Sequence, residues 1–415
     1  MNFIQTLFLA SGERIETNFT GLETSSVGEV DIPHLIHWMN NNYTMPKWKI
    51  YVLNSDETIN YEIPQEDIKI GGSFEENYQD GQRRSLSFSL YNQDGKYSPG
   101  INSFWAGTRL RLDRGITTID GTTLWCESGI FVVSQAQNSL SPTDRTVQIS
   151  AKDKFSLFES KTGTLETTYE IPIGSEIEQV IKTIQLMSMG DGNALDVKPM
   201  VYHSSFKGKT TQATISKSAG DTLGSILLEL ATQLSAEIFY NAYGNLTLVP
   251  TNEVNGDEDK PVIYDFIAED GDLNGLNFSF DLDSIVNRVI VTGSSISGGL
   301  VIATVVNDNP GSPLCYQRIG YRTGSVINDT NITTQYLAEE RAQYELRKTL
   351  ILKSSTSINI LYNPLLTVNN LITITSEYYK LSHEKFLIQS ISCPLDYSGT
   401  MSVTISNIKN LPLVA

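Results

Sequence analysis

Residues 67–92 constrain the fold more than any other stretch. Ile68 and Ile70 precede Gly71-Gly72, and then Leu86, Phe88 and Leu90 alternate with Ser85, Ser87 and Ser89. A period of two buries one face of a strand and wets the other, so this segment reads as paired strands. Asn92-Gln-Asp-Gly95 and Ser98-Pro-Gly100 follow as turn chemistry. Further strands are expected near Arg109–Leu112, Gly129–Ser134 and Val147–Ala151, at the short spacing of a barrel or sandwich. Leu110 and Leu112 alternate with Arg109 and Arg111, which gives that strand a charged outer face. At the N-terminus, Gln5 and Thr6 interrupt the apolar run and no Lys or Arg precedes it. A strand ending at the Ser11-Gly12 turn is expected there rather than a secretion signal.

Three helices break the β pattern. The first begins at Gly174-Ser175, with Ser175 and Glu178 at capping-box spacing and an apolar face of Ile177, Val180, Ile181 and Ile184. The second follows Asp221-Thr222 and lines up Leu223, Ile226, Leu227, Leu230 and Leu234. It runs into a hairpin, Glu237–Tyr240 and Asn245–Pro250, turned by Asn241–Gly244. The third spans about 333–350, with Asp329 and Asn331 as candidate caps and Ala338, Ala342 and Leu346 on one face. Small alanines let such a helix approach a sheet closely. Strands resume at Ile285–Gly293, and a final pair is expected at Phe386–Ser392 and Met401–Ile408, joined through Asp396–Gly399.

Composition narrows the function classes. The 415 residues suggest roughly two to four domains, and 40% hydrophobic with 19% charged residues is a globular balance. A formal charge of −17 argues against a static grip on phosphate backbones, which needs clustered Lys and Arg. More than half of that charge lies in residues 251–284, where ten acids face the single base Lys260. A domain boundary is expected in or near this stretch. Asp257-Glu-Asp259 and Asp270-Gly-Asp272 are its candidate calcium ligands, but neither has EF-hand spacing, and a solvated acidic loop is the favoured reading. Cys126, Cys315 and Cys393 are scattered without a CxxC, so a disulfide framework is excluded and folding in a cytoplasm fits. No stretch has the roughly 18 uninterrupted apolar residues of a membrane span.

The search for catalytic motifs yields none: GxSxG, GxxxxGK[ST], HExxH and GxGxxG after a strand are all missing. His34 and His37 are three apart, but two ligands without a third make a poor zinc site. His203 and His383 are isolated and read as hydrogen-bonded histidines. Six Asn-x-Ser/Thr triplets, at Asn18, Asn42, Asn245, Asn277, Asn328 and Asn331, fit chance in a chain rich in these residues. No catalytic, cofactor or metal residue is assigned, and no enzyme activity is expected.

The last third carries an ordered series of motifs. Asn287-Arg-Val-Ile-Val-Thr-Gly293 is followed by Asp308-Asn-Pro-Gly-Ser-Pro313, Arg318-Ile-Gly320, the helix Ala338–Leu346, and Tyr362-Asn-Pro-Leu-Leu366 before the strand Leu371–Thr375. In this order they resemble the hub proteins of bacteriophage tails, the baseplate hub of contractile tails and the related tail-tip hub of non-contractile ones. Asn92–Pro99 with Gly107-Thr-Arg-Leu-Arg111 is similar to the first barrel of that family, and Gly244–Pro250 is similar to its central domain. The likeness covers roughly residues 65–410, and 13–65 match nothing recognisable. Asn369-Asn370 stands where relatives often carry Gly-Asp.

The resemblance implies a mainly β (α+β) chain with two tube-like β-barrel regions flanking a helix-containing centre. The corresponding divisions are 1–165, 166–275 and 276–415. It further implies a homotrimeric ring that adapts a hexameric tail tube or distal tail protein to a threefold spike or fibre. A tape-measure protein and transient, unspecific passage of DNA are the other implied partners, in a virion tail assembled in the host cytoplasm. The Asn287–Gly293 and Gly129–Ala151 strands are expected in the two barrels lining the ring. Peptidoglycan-cutting modules of the kind that some tail-tip hubs carry are not expected after Ala415. The alternative from another class is a secreted glycan-binding or carbohydrate-active β protein. A trimer in solution favours the hub, and a glycan-binding monomer favours the alternative.

Overall fold

In the computed structural model of the chain, the alternation at 68–91 becomes an antiparallel ladder. The structure describes residues 4–8, 14–18, 43–98, 107–118, 123–141, 145–188, 193–234, 236–250, 262–270, 273–277, 285–295, 298–329, 332–353 and 355–408. The Ser11-Gly12 turn, His34, His37, Asn42, Gly100, Asn331 and most acids of 251–284 lie outside them.

Nine strands open the chain: β1 (Ile4–Phe8), β2 (Arg14–Asn18), β3 (Tyr43–Leu53), β4 (Ile59–Glu62), β5 (Ile68–Asn77), β6 (Arg84–Tyr91), β7 (Arg109–Thr118), β8 (Thr123–Leu140) and β9 (Arg145–Asp153). A second segment follows with β10 (Tyr169–Ile171), α1 (Ile177–Gln185), β11 (Val201–Tyr202), β12 (Ile215–Lys217), α2 (Leu223–Gln233), β13 (Ala236–Tyr240) and β14 (Leu246–Pro250). The rest comprises β15 (Val262–Ile267), β16 (Leu273–Asn277), β17 (Arg288–Ser294), β18 (Leu300–Val306), β19 (Ile327–Asn328), α3 (Gln335–Lys353), β20 (Ser355–Leu361), β21 (Leu371–Ser376), β22 (Leu381–Leu395) and β23 (Thr400–Asn407).

Fifteen strands form one sheet, running β16-β20-β23-β22-β5-β6-β9-β8-β7-β3-β4, with β21 and β15 branching from β22 and the β1–β2 hairpin attached at β8. An N-terminal half, β3–β9, and a C-terminal half meet where β5 pairs antiparallel with β22, Phe74 opposite Cys393. Among the described residues, the pairings close neither half into a barrel: β4 pairs only β3, and β16 only β20. Both halves contribute to one core, from Ile50, Phe74, Leu112 and Phe131 to Ile372, Phe386 and Val403. The fold is thus mostly antiparallel β with few helices.

Most expected elements appear, and the differences have local causes. Ile70 is 56% exposed although Ile68 is buried. A register shift between Lys69 and Ser73 rotates it off the buried face. Helix α1 buries Ile177, Ile181 and Ile184 as its periodicity predicts, but Ser175 does not cap it. The Ser175 hydroxyl donates to Pro172 O at 2.7 Å, and Glu176 takes the cap position. Helix α2 begins as expected, with Thr222 Oγ1 accepting from Ser225 N at 3.2 Å. The β13–β14 hairpin pairs Tyr240 with Leu246. Leu223, Ile226, Leu227 and Leu230 pack on this hairpin together with the α1 face, a second core distinct from the first.

Helix α3 starts two residues after the expected Thr333, held by Thr334 rather than by Asp329, whose N–H donates to Thr292 O at 3.0 Å. Ala338, Ala342, Leu346 and Leu350 are fully buried against β17 and β18, a third core. Here the structure corrects one expectation. The Asn287–Gly293 strand, β17, lies in a separate three-stranded sheet, β18-β17-β19, and does not join the large sheet. Its alternation buries Val289 and Val291 under α3 and cannot by itself specify which sheet receives it. The Gly129–Ala151 segment does join the large sheet, as β8 and β9.

Candidate functional site

The two described histidines, His203 and His383, occupy structural positions. His203 Nδ1 accepts from Ser205 N at 3.3 Å and caps a 3-10 turn. His383 lies 2.8 Å from Asp265 at the exposed β21–β22 hairpin. Of the acidic stretch, Asp265 accepts from Thr373 Oγ1 at 2.8 Å and Glu269 from Ser376 Oγ at 2.9 Å, so both carboxylates serve the hairpin. Glu253, Asp257, Glu258, Asp259, Asp272, Asp281 and Asp283 lie outside the described residues. Among the described residues no cluster of His, Cys, Asp and Glu is placed to hold a metal ion. No helix among them is long and apolar enough to cross a membrane. All three cysteines are buried and free, and burial pushes the Cys126 thiol up to about 12, far from a reactive thiolate.

What the fold does assemble is a buried ionic joint between the N-terminal half of the sheet and the second core. Lys154, immediately after β9, is fully buried. Its ammonium lies 2.6 Å from Glu57 Oε1 and 2.5 Å from Asp196 Oδ1, and donates to Gly244 O at 3.0 Å. Asp196 also accepts from Tyr240 OH at 2.7 Å, and desolvation pushes that phenol well above its usual range. Lys198 reaches Glu57 Oε2 at 3.2 Å, and Arg109 reaches Oε1 at 3.5 Å. At Gly244 a Cβ would stand 2.6 Å from Ile130 Cδ1, so the β13–β14 turn seats directly on β8.

A second tier adjoins it. Arg83 bonds Glu237 at 2.7 Å and lies 3.4 Å over the Phe239 ring, while Arg84 pairs with Glu76 and donates to Tyr240 O at 2.5 Å. Asp153 Oδ2 accepts from Arg83 N at 2.7 Å and Arg84 N at 2.8 Å, fixing the turn between β5 and β6. Buried ions are tolerated when paired, and here Asp196 is held by hydrogen bonds while Glu57 is held by the charges of Lys154, Lys198 and Arg109. Sequence reasoning missed this joint. Its one local signal is Glu237, a lone acid within the apolar run Ala236–Tyr240.

The C-terminal motifs are also architectural. Asn287 is fully buried; its Nδ2 donates to Leu314 O at 3.1 Å and Gly320 O at 2.9 Å, and its Oδ1 accepts from Arg322 N at 2.8 Å. It therefore pins the 308–322 loop to β17. Within that loop Ser312 Oγ, itself buried, accepts from Leu314 N and Asn307 Nδ2 at 3.1 Å. Asn369 has φ +68°, the left-handed region that Gly or Asn best adopts. Arg111 on β7 is paired with acids, Asp113 at 2.8 Å and Glu127 at 3.6 Å. Between α2, α3 and the 77–80 turn lies an open cleft of about 570 Å³ lined by Asp80, Arg341, Tyr344 and Lys348. Its opposing charges cross it, with Tyr344 OH donating to Asp80 at 2.8 Å and Lys348 Nζ 3.6 Å from the same carboxylate.

No family model matches the sequence, and no curated protein matches it. Solved structures do. A 43 kDa tail protein of prophage MuSo2 from Shewanella oneidensis matches with a TM-score of 0.57, over 88% of this chain and 99% of its own, at 16% identity. The tail protein from Neisseria meningitidis MC58 gives 0.58 over the same shares at 10% identity. A chain of a PdpA–VgrG complex from Francisella gives 0.53 at 10% identity, over 92% of this chain and 55% of its own. The chain thus shares its fold with these prophage tail proteins and with a chain of a PdpA–VgrG complex, in line with the hub resemblance of its motifs.

Proposed function

We propose that this protein is a structural hub of a bacteriophage tail baseplate or tail tip. Three copies form a ring in which each chain contributes its two sheet halves as tube-like barrels, giving a pseudo-sixfold face for a hexameric tail tube. The opposite face takes a threefold spike or fibre, the tape-measure protein ends at the ring, and DNA passes through without specific binding. The role is mechanical rather than catalytic, in a virion tail assembled in the host cytoplasm. The divisions 1–165, 166–275 and 276–415 are the proposed first barrel region, centre and second barrel region, with β15 and β16 at the end of the centre pairing into the second.

The observation that carries this reading is a shared fold spanning 88% of this chain and 99% of two prophage tail proteins. The buried joint supports it, because a rigid, uniquely docked chain suits a part that transmits force. Among the described residues β4 and β16 are sheet edges, which also fits a ring, since neighbouring copies give such edges something to pair with. Size-exclusion chromatography with light scattering is the test, alone and after mixing with tail-tube protein. A trimer that captures the tube protein is expected, and a monomer that binds glycans would overturn the reading.

A further inference from the structure

We infer that the β3–β4 turn is a releasable clasp, which locks the second core to the N-terminal half of the sheet and opens without unfolding either. Leu53 and Ile63 are buried and mark its two ends. Between them Asn54, Ser55, Asp56, Thr58, Ile59 and Asn60 are exposed. Glu57 is the exception: its side chain is only 1% exposed, while its backbone has φ +65°. That is the left-handed region, which a residue other than Gly, Asn or Asp adopts only under constraint. The turn around it is self-contained. Glu57 N donates to Asn54 O at 3.0 Å, Asn54 N to Thr58 O at 2.9 Å, and Thr58 N to Asp56 Oδ1 at 3.0 Å.

Charges, not apolar area, hold the tip. The Glu57 carboxylate lies against Lys154, Lys198 and Arg109, and each of these cations also binds a carbonyl across the joint. Arg109 donates to Ser55 O at 2.7 Å and to Leu195 O at 3.0 Å, so one guanidinium grips the turn and the second core together. Lys198 Nζ donates to Tyr243 O at 2.6 Å and Lys154 Nζ to Gly244 O at 3.0 Å. Leaving this pocket, the carboxylate regains its hydration, a gain that can match the attraction of a buried pair. The left-handed backbone relaxes in the same step. Lys154 keeps Asp196 at 2.5 Å, and the part-exposed Lys198 and Arg109 meet water, so no buried cation is stranded. The Arg83–Glu237 pair still docks the second core, and only the lock is lost. An element held this way, with little apolar contact, is among the first to open in a folded chain.

Native-state hydrogen exchange by mass spectrometry on the full chain is the test, with the parent, Glu57→Gln and Lys198→Met. In the parent, the amides of Asn54, Glu57 and Thr58 should exchange at least about 100-fold faster than the ladder amides of β8 and β9. Their rate should barely change with sub-denaturing urea, because a local opening exposes little surface. Both substitutions should speed the turn about tenfold and leave β8 and β9 as in the parent. Lys198 is remote in sequence, so simple fraying of the hairpin would not respond to it. Turn amides as slow as those of β8, or with the same urea dependence, would show that the turn opens only with the whole sheet. A turn indifferent to either substitution would show that the charges do not hold it. Faster exchange spread evenly over the chain would show a general loss of stability, and any of these three results overturns the clasp.

Discussion

Lys154 Nζ lies 2.6 Å from Glu57 Oε1, and neither side chain has more than 1% of its surface exposed. The same ammonium holds Asp196 at 2.5 Å, so one cation serves two buried carboxylates from different parts of the chain. Lys154→Met leaves Asp196 without its buried cation and Glu57 with only Lys198 and Arg109, and breaking a buried pair this way costs about 3–5 kcal/mol. Denaturant unfolding should show that loss, with Glu57→Gln and Asp196→Asn together restoring part of it. A loss below about 1 kcal/mol would mean that water enters the joint and screens it.

The joint explains where sequence reading stops. Strands β8 and β9, helix α2 and the β13–β14 hairpin are legible because their signal is local: a period of two or 3.6, a Thr222 cap, a turn at Asn241–Gly244. Glu57, Lys154 and Asp196 meet only after three segments fold together, and nothing within any one segment marks them. The same holds for β17, whose alternation is right but whose sheet depends on β18 and α3. Ile70 departs from its expected burial for a smaller reason, a bulge that the period does not reveal. The motifs from Asn287 to Leu366 are legible as a likeness, but only the hydrogen bonds show their physical role as buried latches.

Gly293 illustrates such a latch without a polar side chain. A Cβ there would stand 2.2 Å from Ile332 O and 2.9 Å from Ile332 Cβ. Backbone must move to admit it, and overpacking of this kind costs about 1–3 kcal/mol. Gly293→Ala should therefore melt clearly lower than the parent in a thermal scan. An unchanged melting temperature would show that the approach of β17 to the 332 segment is slack.

Helix α3 makes a sharper demand. Ala342 is fully buried between α3 and the β17–β18 strands. Ala342→Glu drives a carboxylate into that core, where an unpaired charge costs several kcal/mol. Soluble yield should collapse. The next residue, Gln343, is exposed, so the same carboxylate meets water there and Gln343→Glu should be silent. Equal yields of the two variants would show that the alanine face is open.

Acid should strengthen the chain over a defined window. Burial raises Asp153 and Asp113 from 3.8 to about 6 each, outweighing the backbone N–H donors on Asp153 and the Arg111 charge beside Asp113. A raised folded-state pKa means the folded chain holds its proton more tightly than the unfolded chain. The resulting stability is complete below 3.8 and is lost as pH rises through about 6. At about 1.36 kcal/mol per unit each group contributes up to roughly 3 kcal/mol. Melting temperature should fall between about pH 5 and pH 7.5, and less so in Asp113→Asn and Asp153→Asn. A parent chain that melts higher at the upper pH would reverse the assignment.

If the ring surrounds a passage for DNA, a wall that gripped phosphate would slow ejection, so the lumen is expected to be neutral to acidic, with part of the −17 facing it. The competing account puts that charge outside for solubility, concentrated in 251–284. The two accounts agree on the isolated chain and differ in the assembly. On β7, Arg109 is paired with Glu57 at 3.5 Å and Arg111 with Asp113 at 2.8 Å, so neither base is free to release counterions on a phosphate. Duplex DNA should therefore not be retained by the protein at about 0.15 M salt, where the Debye length is about 8 Å. Any residual binding should lack the steep salt dependence of multiple phosphate contacts. Arg111→Glu should leave this unchanged, while reversing acids on the wall to Lys should create salt-sensitive DNA binding. Tight binding by the parent chain, or an assembled ring whose wall is lined by Arg109, Arg111 and other bases, would sink the acidic lumen.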